Sequence, residues 1–221
     1  GHIPVKVVDR TIPRGLGAIA ALRDSFNWDE EIDKAALASL ANIIKNEHQD
    51  YTDEEEDAIR KGKDFYEKCK EGKNFDEVKS PDAKVQMRLV HLEGENIVSG
   101  IATTVVEESP EICAAWVITD LDSRETKRKM KLHGLVSVDV EKINRHSLNY
   151  NSTRDLRIPG FSFREFRTTI TWKKESRKVT INVADTNKSL PSAYVLASVS
   201  TVWTIQALDP IGDIHQTKVT Y

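Results

Sequence analysis

The chain has 221 residues, of which 39% are hydrophobic, and its 35 acidic and 32 basic side chains leave a formal net charge of −3. This length and composition exclude a mainly disordered chain. The near-neutral charge excludes a global field that would favour nucleic acid or an acidic membrane. No apolar run approaches the roughly 20 residues of a membrane-spanning helix. With two cysteines and no secretory leader pattern, we expect a reducing, cytoplasmic setting.

Residues 1–51 are predicted to form an extension that contains one helix. The run at 15–20 matches GxGxxA, but Pro13 and Arg14 stand where a dinucleotide site needs the end of a strand. We therefore expect no cofactor. Apolar residues at helical spacing then predict a helix from Asn27, its N-cap, to about Asn46.

A second helix is predicted to begin at Thr52. Thr52 and Glu55 have the spacing of a capping box, and the acidic run at 53–56 suits the positive end of the helix dipole. A calcium site is a more specific interpretation of that acidic run than a helix start. The run lacks the glycine and the ligand spacing of a calcium loop, so we expect a helix start. The six histidines are isolated from one another, so no metal site is expected. Gly72 is expected to end the helix.

A hairpin and a third helix follow. Alternating apolar residues predict strands at 85–89 and 97–106 with a turn at 93–96, and Ser109 with Pro110 indicates a helix start. The stretch at 124–131 is the most basic part of the chain. A patch for phosphoinositides or an acidic partner is one interpretation. We favour a solvated surface, because cations are also favoured near helix C-termini.

From Leu135 onward the sequence predicts almost only strands. The most regular strand is FSFREFRTTITW at 161–172, in which Phe166, Thr168, Ile170 and Trp172 share one face. A turn at 173–176 and further strands at 179–183, 194–207 and 215–221 complete an α+β order.

Several of these segments resemble START domains, the steroidogenic acute regulatory protein-related lipid transfer family. FSFREF at 161–166 with TWKK at 171–174 resembles the R-D-F/Y strand start of that family. Further segments fall in the order expected of that family. They are GIATTV at 100–105, SPE at 109–111 with Trp116, DSR at 122–124, YVLAS at 194–198 and PIG at 210–212. The resemblance covers about 52–221. It implies a helix-grip fold, in which a curved antiparallel sheet and a long C-terminal helix enclose a tunnel for a sterol, a phospholipid or another apolar ligand.

The sequence departs from the family pattern in three respects. Glu165 stands where aspartate is more usual. No segment after Tyr221 supplies the closing helix, so the START-like domain, residues 52–221, is expected to be incomplete at its C-terminus. The helix of the extension is expected to pack outside this domain or to join another domain of a longer chain.

Four residues are candidates for contact with a ligand. Arg164 could orient a polar head group and form an ion pair with Glu165, although it could equally be structural at the strand start. Tyr150, Trp172 and Trp203 could line a pocket, although aromatic residues on strands more often belong to the core.

Two functions stay open. The first is non-enzymatic binding of a hydrophobic small molecule or lipid, in which contact with a membrane would be peripheral. The second is a regulatory or protein-interaction module of a larger signalling protein, without lipid transfer. A catalytic function is ranked last, because the sequence offers no acid/base pair and none of the common phosphate or acyl-transfer motifs.

Overall fold

A computed structural model of the chain describes residues 31–46, 50–95, 98–123, 126–127, 130, 134–186 and 193–221. Three features of the sequence lie outside these residues. They are the GxGxxA run, the predicted helix start at Asn27 and most of the basic stretch at 124–131. The described part has an α+β fold in which one large sheet carries helices on both faces.

In the described residues the sheet has ten strands and is antiparallel except for the short β8, which runs parallel to β6. Its order is β1-β2-β3-β10-β9-β7-β6-β5-β4, so the last strand lies in the interior of the sheet. The strands are β1 Phe75–Glu77, β2 Gln86–His91, β3 Val98–Val106, β4 Leu135–Lys142, β5 Ser147–Arg154, β6 Arg164–Glu175, β7 Lys178–Asp185, β8 Val195–Leu196, β9 Thr201–Ala207 and β10 Thr217–Thr220.

Strand β6 differs from the predicted strand at both ends. It begins at Arg164, so Phe161 and its neighbours belong to the preceding loop. It also continues through the predicted turn at 173–176 and reverses only at Ser176, whose φ of 51° lies in the left-handed region. The polar residues near its end remain in the strand because they pair with β7 as far as Glu175 opposite Lys178.

The part of the chain that the structure describes has three α-helices, which pack on the two sides of the sheet: α1 Glu31–Asn46, α2 Asp53–Glu71 and α3 Pro110–Thr119. The predicted capping box of α2 is confirmed, since the Glu55 N–H donates to Thr52 Oγ1 at 3.3 Å and the Thr52 N–H donates to Glu55 Oε2 at 3.0 Å. The predicted stop at Gly72 is also confirmed.

The N-cap of α3 provides a first prediction. Ser109 Oγ accepts the Ile112 N–H at 3.3 Å, as expected of a residue before Pro110 at the first helical position. We expect Ser109→Ala to lower the free energy of unfolding by about 1 kcal/mol, because that N–H loses its acceptor. Urea denaturation measures the change, and Ser109→Asp, which keeps an acceptor, is the control. Equal losses in both variants would contradict this role of the cap.

The two faces of the sheet differ in chemistry. On the inner face, apolar side chains of β6, β7, β9 and β10 pack against α3 and form the main core. The outer face is rich in threonine and asparagine, and α2 covers its centre. There a Cβ on Gly62 would lie 2.5 Å from Asn182 Oδ1, so only glycine permits this close approach of helix and sheet.

Helix α1 packs on α3, on the inner side of the sheet. Ala41 is 8% exposed and Ile44 is 2% exposed, and both belong to the same core cluster as α3. The expectation that this helix packs outside the START-like domain is therefore wrong for its second half. The apolar residues of α1 pack against the apolar surface of α3, whose side chains are almost all buried. The division of the chain at residue 51 stays a prediction.

Candidate ligand-binding face

The inner face of strands β4, β5 and β6 is the best candidate for a ligand-binding surface. The register places Val138, Ser152 and Phe166 side by side across the three strands, and Val140 and Tyr150 form the next row. Alternation of side chains puts all five on the face that forms the core farther along the sheet. Apart from Ser152 they are only partly buried, so this end of the apolar face is less covered than the rest.

Two polar atoms on the inner side lack a hydrogen-bond partner within the part of the chain that the structure describes. They are Oγ of Ser152, which is 2% exposed, and Nε1 of Trp116 in α3, which is 3% exposed. An unsatisfied buried donor or acceptor costs about 1–3 kcal/mol. Ser152 Oγ lies on the candidate face and can form a hydrogen bond with a weakly polar group of a molecule bound there.

The structure places the predicted aromatic residues in different settings. Trp172 is 3% exposed in the core, and Trp203 is buried against Tyr221 with the ring centroids 4.4 Å apart. Tyr150 is half-buried in the candidate face. Of the three, Tyr150 therefore has the position that best suits a ligand contact.

Arg164 lies at the edge of the same face, but the predicted ion pair with Glu165 does not form. Glu165 accepts two hydrogen bonds from Arg167, from Nε at 2.9 Å and from Nη2 at 3.1 Å. Adjacent strand residues point to opposite faces, whereas residues two apart share one. Glu165 and Arg167 thus form a bidentate pair on the outer face, and Arg164 points inward.

A second arginine, which sequence reasoning missed, lies directly across from Arg164. Arg154 of β5 pairs in register with Arg164 of β6. The Arg154 guanidinium lies 5.5 Å from the ring centroid of Phe166, and the Arg164 guanidinium lies 5.5 Å from that of Phe161. We call Arg154 and Arg164 the arginine pair. Only the strand register reveals it, because the residues are separated by a loop in the sequence.

Exposed apolar side chains lie at the same end of the sheet as the arginine pair. Phe161 is 48% exposed, Val195 is 48% exposed and Leu196 is 57% exposed. Val195 and Leu196 form β8 and lie beside Arg164 and Glu165 at the start of β6. This end of the sheet therefore combines cationic and apolar side chains at the surface.

A buried polar cluster, also missed from the sequence, joins the start of α2 to the β4–β5 turn. Glu55 accepts a hydrogen bond from Asn144 Nδ2 at 2.8 Å, and its Oε2 lies 3.0 Å from Nε2 of His146. The Tyr51 ring packs on His146 at a centroid distance of 4.1 Å, and its hydroxyl donates to the carbonyl of Trp172 at 2.9 Å. The cluster is structural, because it holds a helix end, a turn and a core strand together.

A cleft of about 600 Å³ lies on the opposite side of the sheet. It is formed by the C-terminal half of α2 and the outer faces of β1, β2, β3 and β10, with Tyr66, Arg88 and Lys218 in its walls. Nη2 of Arg88 donates to the carbonyls of Cys69 and Lys70 at the end of α2, at 3.2 and 2.9 Å. The cleft is separated from the candidate face by the sheet.

Within the described residues, no group of three or more His, Cys, Asp or Glu residues is arranged to hold a metal ion. No helix in the same part of the chain has the length and apolar character to cross a membrane. Cys69 and Cys113 are free and buried, and burial raises the pKa of both thiols. They pack as small hydrophobic residues.

Comparison with known proteins identifies the fold. No protein-family model and no curated protein matches the chain. Among solved structures, human StAR-related lipid transfer protein 5 matches with a TM-score of 0.55 and 9% identity, over 77% of this chain and 82% of that one. Human STARD10 matches with a TM-score of 0.52 and 14% identity, over 81% and 70% of the two chains. A fragment of the STAR-related lipid transfer protein of Xanthomonas axonopodis matches with a TM-score of 0.50 and 14% identity, over 66% and 80%.

These similarities agree with the segments that resemble START domains in the sequence. The sheet curves around the inner helices as the helix-grip fold requires. At these identities the comparisons establish the fold alone. The chain has the START-like helix-grip α+β fold of StAR-related lipid transfer domains.

Proposed function

We propose that the chain binds a hydrophobic ligand, a lipid of the sterol or phospholipid class, on the inner face of β4, β5 and β6. The observation that carries the proposal is the row of partly buried apolar side chains that continues the core onto these strands. Burial of apolar surface contributes roughly 25 cal/mol per Å² before ordering costs, so a lipid chain on this face would be held mainly by the hydrophobic effect.

Two further features support a lipid as the ligand. The unsatisfied Ser152 Oγ would orient a weakly polar group within an otherwise apolar site. The similar structures are named as lipid transfer proteins. We propose that the binding is non-enzymatic, and that the apolar residues Phe161, Val195 and Leu196 contact a membrane peripherally while the ligand enters or leaves.

The proposal predicts that filling the face blocks uptake. Val138→Trp places a large ring among Ser152, Phe166 and Tyr150, and we expect it to reduce uptake of a fluorescent sterol or phospholipid at least about tenfold, as a lost contact of about 1.4 kcal/mol would. Ser137→Trp is the matched control, because Ser137 is exposed on the outer face of the same strand. Its uptake should equal that of the wild type.

Mass spectrometry of lipids extracted from the purified protein provides a direct test. Recovery of a bound lipid that Val138→Trp lacks would support the proposal. Recovery of no lipid from the wild type, together with no displacement of either fluorescent probe, would contradict it and favour the regulatory module.

A further inference from the structure

Among the described residues, the arginine pair at the edge of the candidate face has no acidic partner of the kind that two adjacent arginines normally need. Arg154 and Arg164 are direct cross-strand neighbours, and like charges in that position destabilise a sheet. Within the described residues, neither guanidinium contacts a carboxylate. No carboxylate in the described part of the chain therefore relieves the repulsion between the two arginines.

The acidic residues nearest in sequence are already engaged elsewhere. Glu165 binds Arg167 on the outer face. Asp155 Oδ1 accepts the backbone N–H of Arg157 at 2.7 Å, and Asp185 Oδ1 accepts that of Val199 at 2.9 Å. These carboxylates are held by partners other than the arginine pair.

The geometry of the two guanidiniums leaves their donors available. Each lies near the face of a phenylalanine ring, a contact that orients a guanidinium while its N–H edges stay free. Of the five donors on each side chain, Arg154 uses none in a hydrogen bond within the described residues, and Arg164 uses Nη1 to reach the Ser162 carbonyl at 2.8 Å. The two guanidiniums are thus held in orientation by the rings, while most of their N–H donors have no acceptor among the described residues.

We propose that the arginine pair binds the terminal phosphate monoester of a phospholipid such as phosphatidic acid, while the acyl chains lie on the apolar rows of Tyr150 and Val138. This rests on the proposed function and names its ligand class. A phosphate monoester has three terminal oxygens and can receive two guanidinium forks at once, whereas a carboxylate has two oxygens and matches only one fork. A sterol, which lacks an anionic group, would leave the two positive charges uncompensated.

The test compares two lipids that differ only in the phosphate. Wild-type protein and the double variant Arg154→Gln/Arg164→Gln are incubated with phosphatidylcholine vesicles that contain fluorescent phosphatidic acid or the matching diacylglycerol. We expect the wild type to take up phosphatidic acid preferentially, and the double variant to lose at least about tenfold of that uptake with diacylglycerol uptake unchanged, because hydrogen bonds to charged groups are lost. Equal uptake of phosphatidic acid by both proteins would overturn the proposal.

The matched control is Lys61→Gln/Arg177→Gln. Both side chains are exposed and remote from the candidate face, and their removal changes the net charge by the same amount. This variant should keep the wild-type preference, and a loss equal to that of the double variant would show a general charge effect and overturn the proposal. The thermal midpoint of Arg154→Gln/Arg164→Gln should not fall, since a like-charge contact is removed.

Titration with soluble dibutyryl phosphatidic acid and with inorganic phosphate distinguishes a failure of the proposed lipid uptake from a failure of the proposed arginine site. If no vesicle lipid is taken up, the proposed function fails, and absence of dibutyryl phosphatidic acid binding then overturns the arginine site as well. Binding of that compound by the wild type but not by the double variant supports the site independently of lipid uptake. Equally tight binding of inorganic phosphate would identify a free-phosphate site and overturn the phospholipid head group.

Discussion

Trp172→Ala is expected to lower the free energy of unfolding by about 4 kcal/mol, the usual cost of truncating a large buried aromatic side chain. Trp172 is 3% exposed and lies opposite Ile181 on the inner face, and its ring meets His146 edge-on at a centroid distance of 6.2 Å. A cavity there cannot be refilled without moving β6 or β7. Thermal denaturation followed by circular dichroism should show a midpoint roughly 8–16 °C below that of the wild type.

The same position separates a core role from a ligand role. Trp172→Phe keeps an aromatic ring, so we expect a smaller loss of stability and unchanged uptake of a fluorescent phospholipid. A phenylalanine variant that is as stable as the wild type but takes up no lipid would contradict the placement of Trp172 in the core. A midpoint shift of Trp172→Ala below about 3 °C, the equivalent of 1 kcal/mol, would contradict it too.

Glu55→Ala is expected to lower the free energy of unfolding by about 3 kcal/mol. The substitution removes the acceptor of the Asn144 amide, the partner of His146 and half of the capping box at Thr52. Each polar group left without a partner in this buried cluster costs about 1–3 kcal/mol. Urea denaturation at pH 7 measures the loss, and Glu54→Ala, one residue earlier and exposed, is the control.

The effect should depend on pH with a defined sign. Burial pushes the pKa of Glu55 upward, but hydrogen bonds from the Thr52 N–H, His146 and Asn144 outweigh it, so the pKa lies below its ordinary value of 4.5. The stabilisation is therefore fully present above about pH 4.5 and is lost as the pH falls through the lower pKa of the folded state. The difference in stability between wild type and Glu55→Ala should shrink below that pH. A difference that grows on acidification would refute the assignment.

Local signals in the sequence were sufficient for most of the fold. The capping box at Thr52, the start of α3 at Ser109 and the alternation along β6 depend on residues close together in the chain, and each is confirmed. The resemblance to START domains then predicted how these elements are arranged in the fold. The end of β6 was misplaced because strand pairing overrides the turn tendency of polar residues there.

The candidate site was less predictable, because it depends on register. Arg164 could be singled out from its motif, but its neighbour Arg154 became visible only once β5 and β6 were aligned. The partner of Glu165 was assigned to the adjacent residue, whereas the pleat of a strand brings together residues two apart. The helical pattern of α1 predicts an apolar face but does not say which element covers it, so its packing on α3 could not be predicted.

The position of β10 has a consequence for how the chain folds. Among the described residues, six strand pairs join consecutive strands, β1 with β2, β2 with β3, β4 with β5, β5 with β6, β6 with β7 and β9 with β10, and such pairs close short loops. Strand β10 also pairs with the distant β3 and thereby connects the two halves of the sheet, with Thr217 opposite both Val106 of β3 and Ala207 of β9. Because pairing of distant segments carries a larger entropy of loop closure, docking of these four residues is expected to limit the folding rate. Substitutions at Val219 should therefore slow refolding more than equally destabilising substitutions in β4 do.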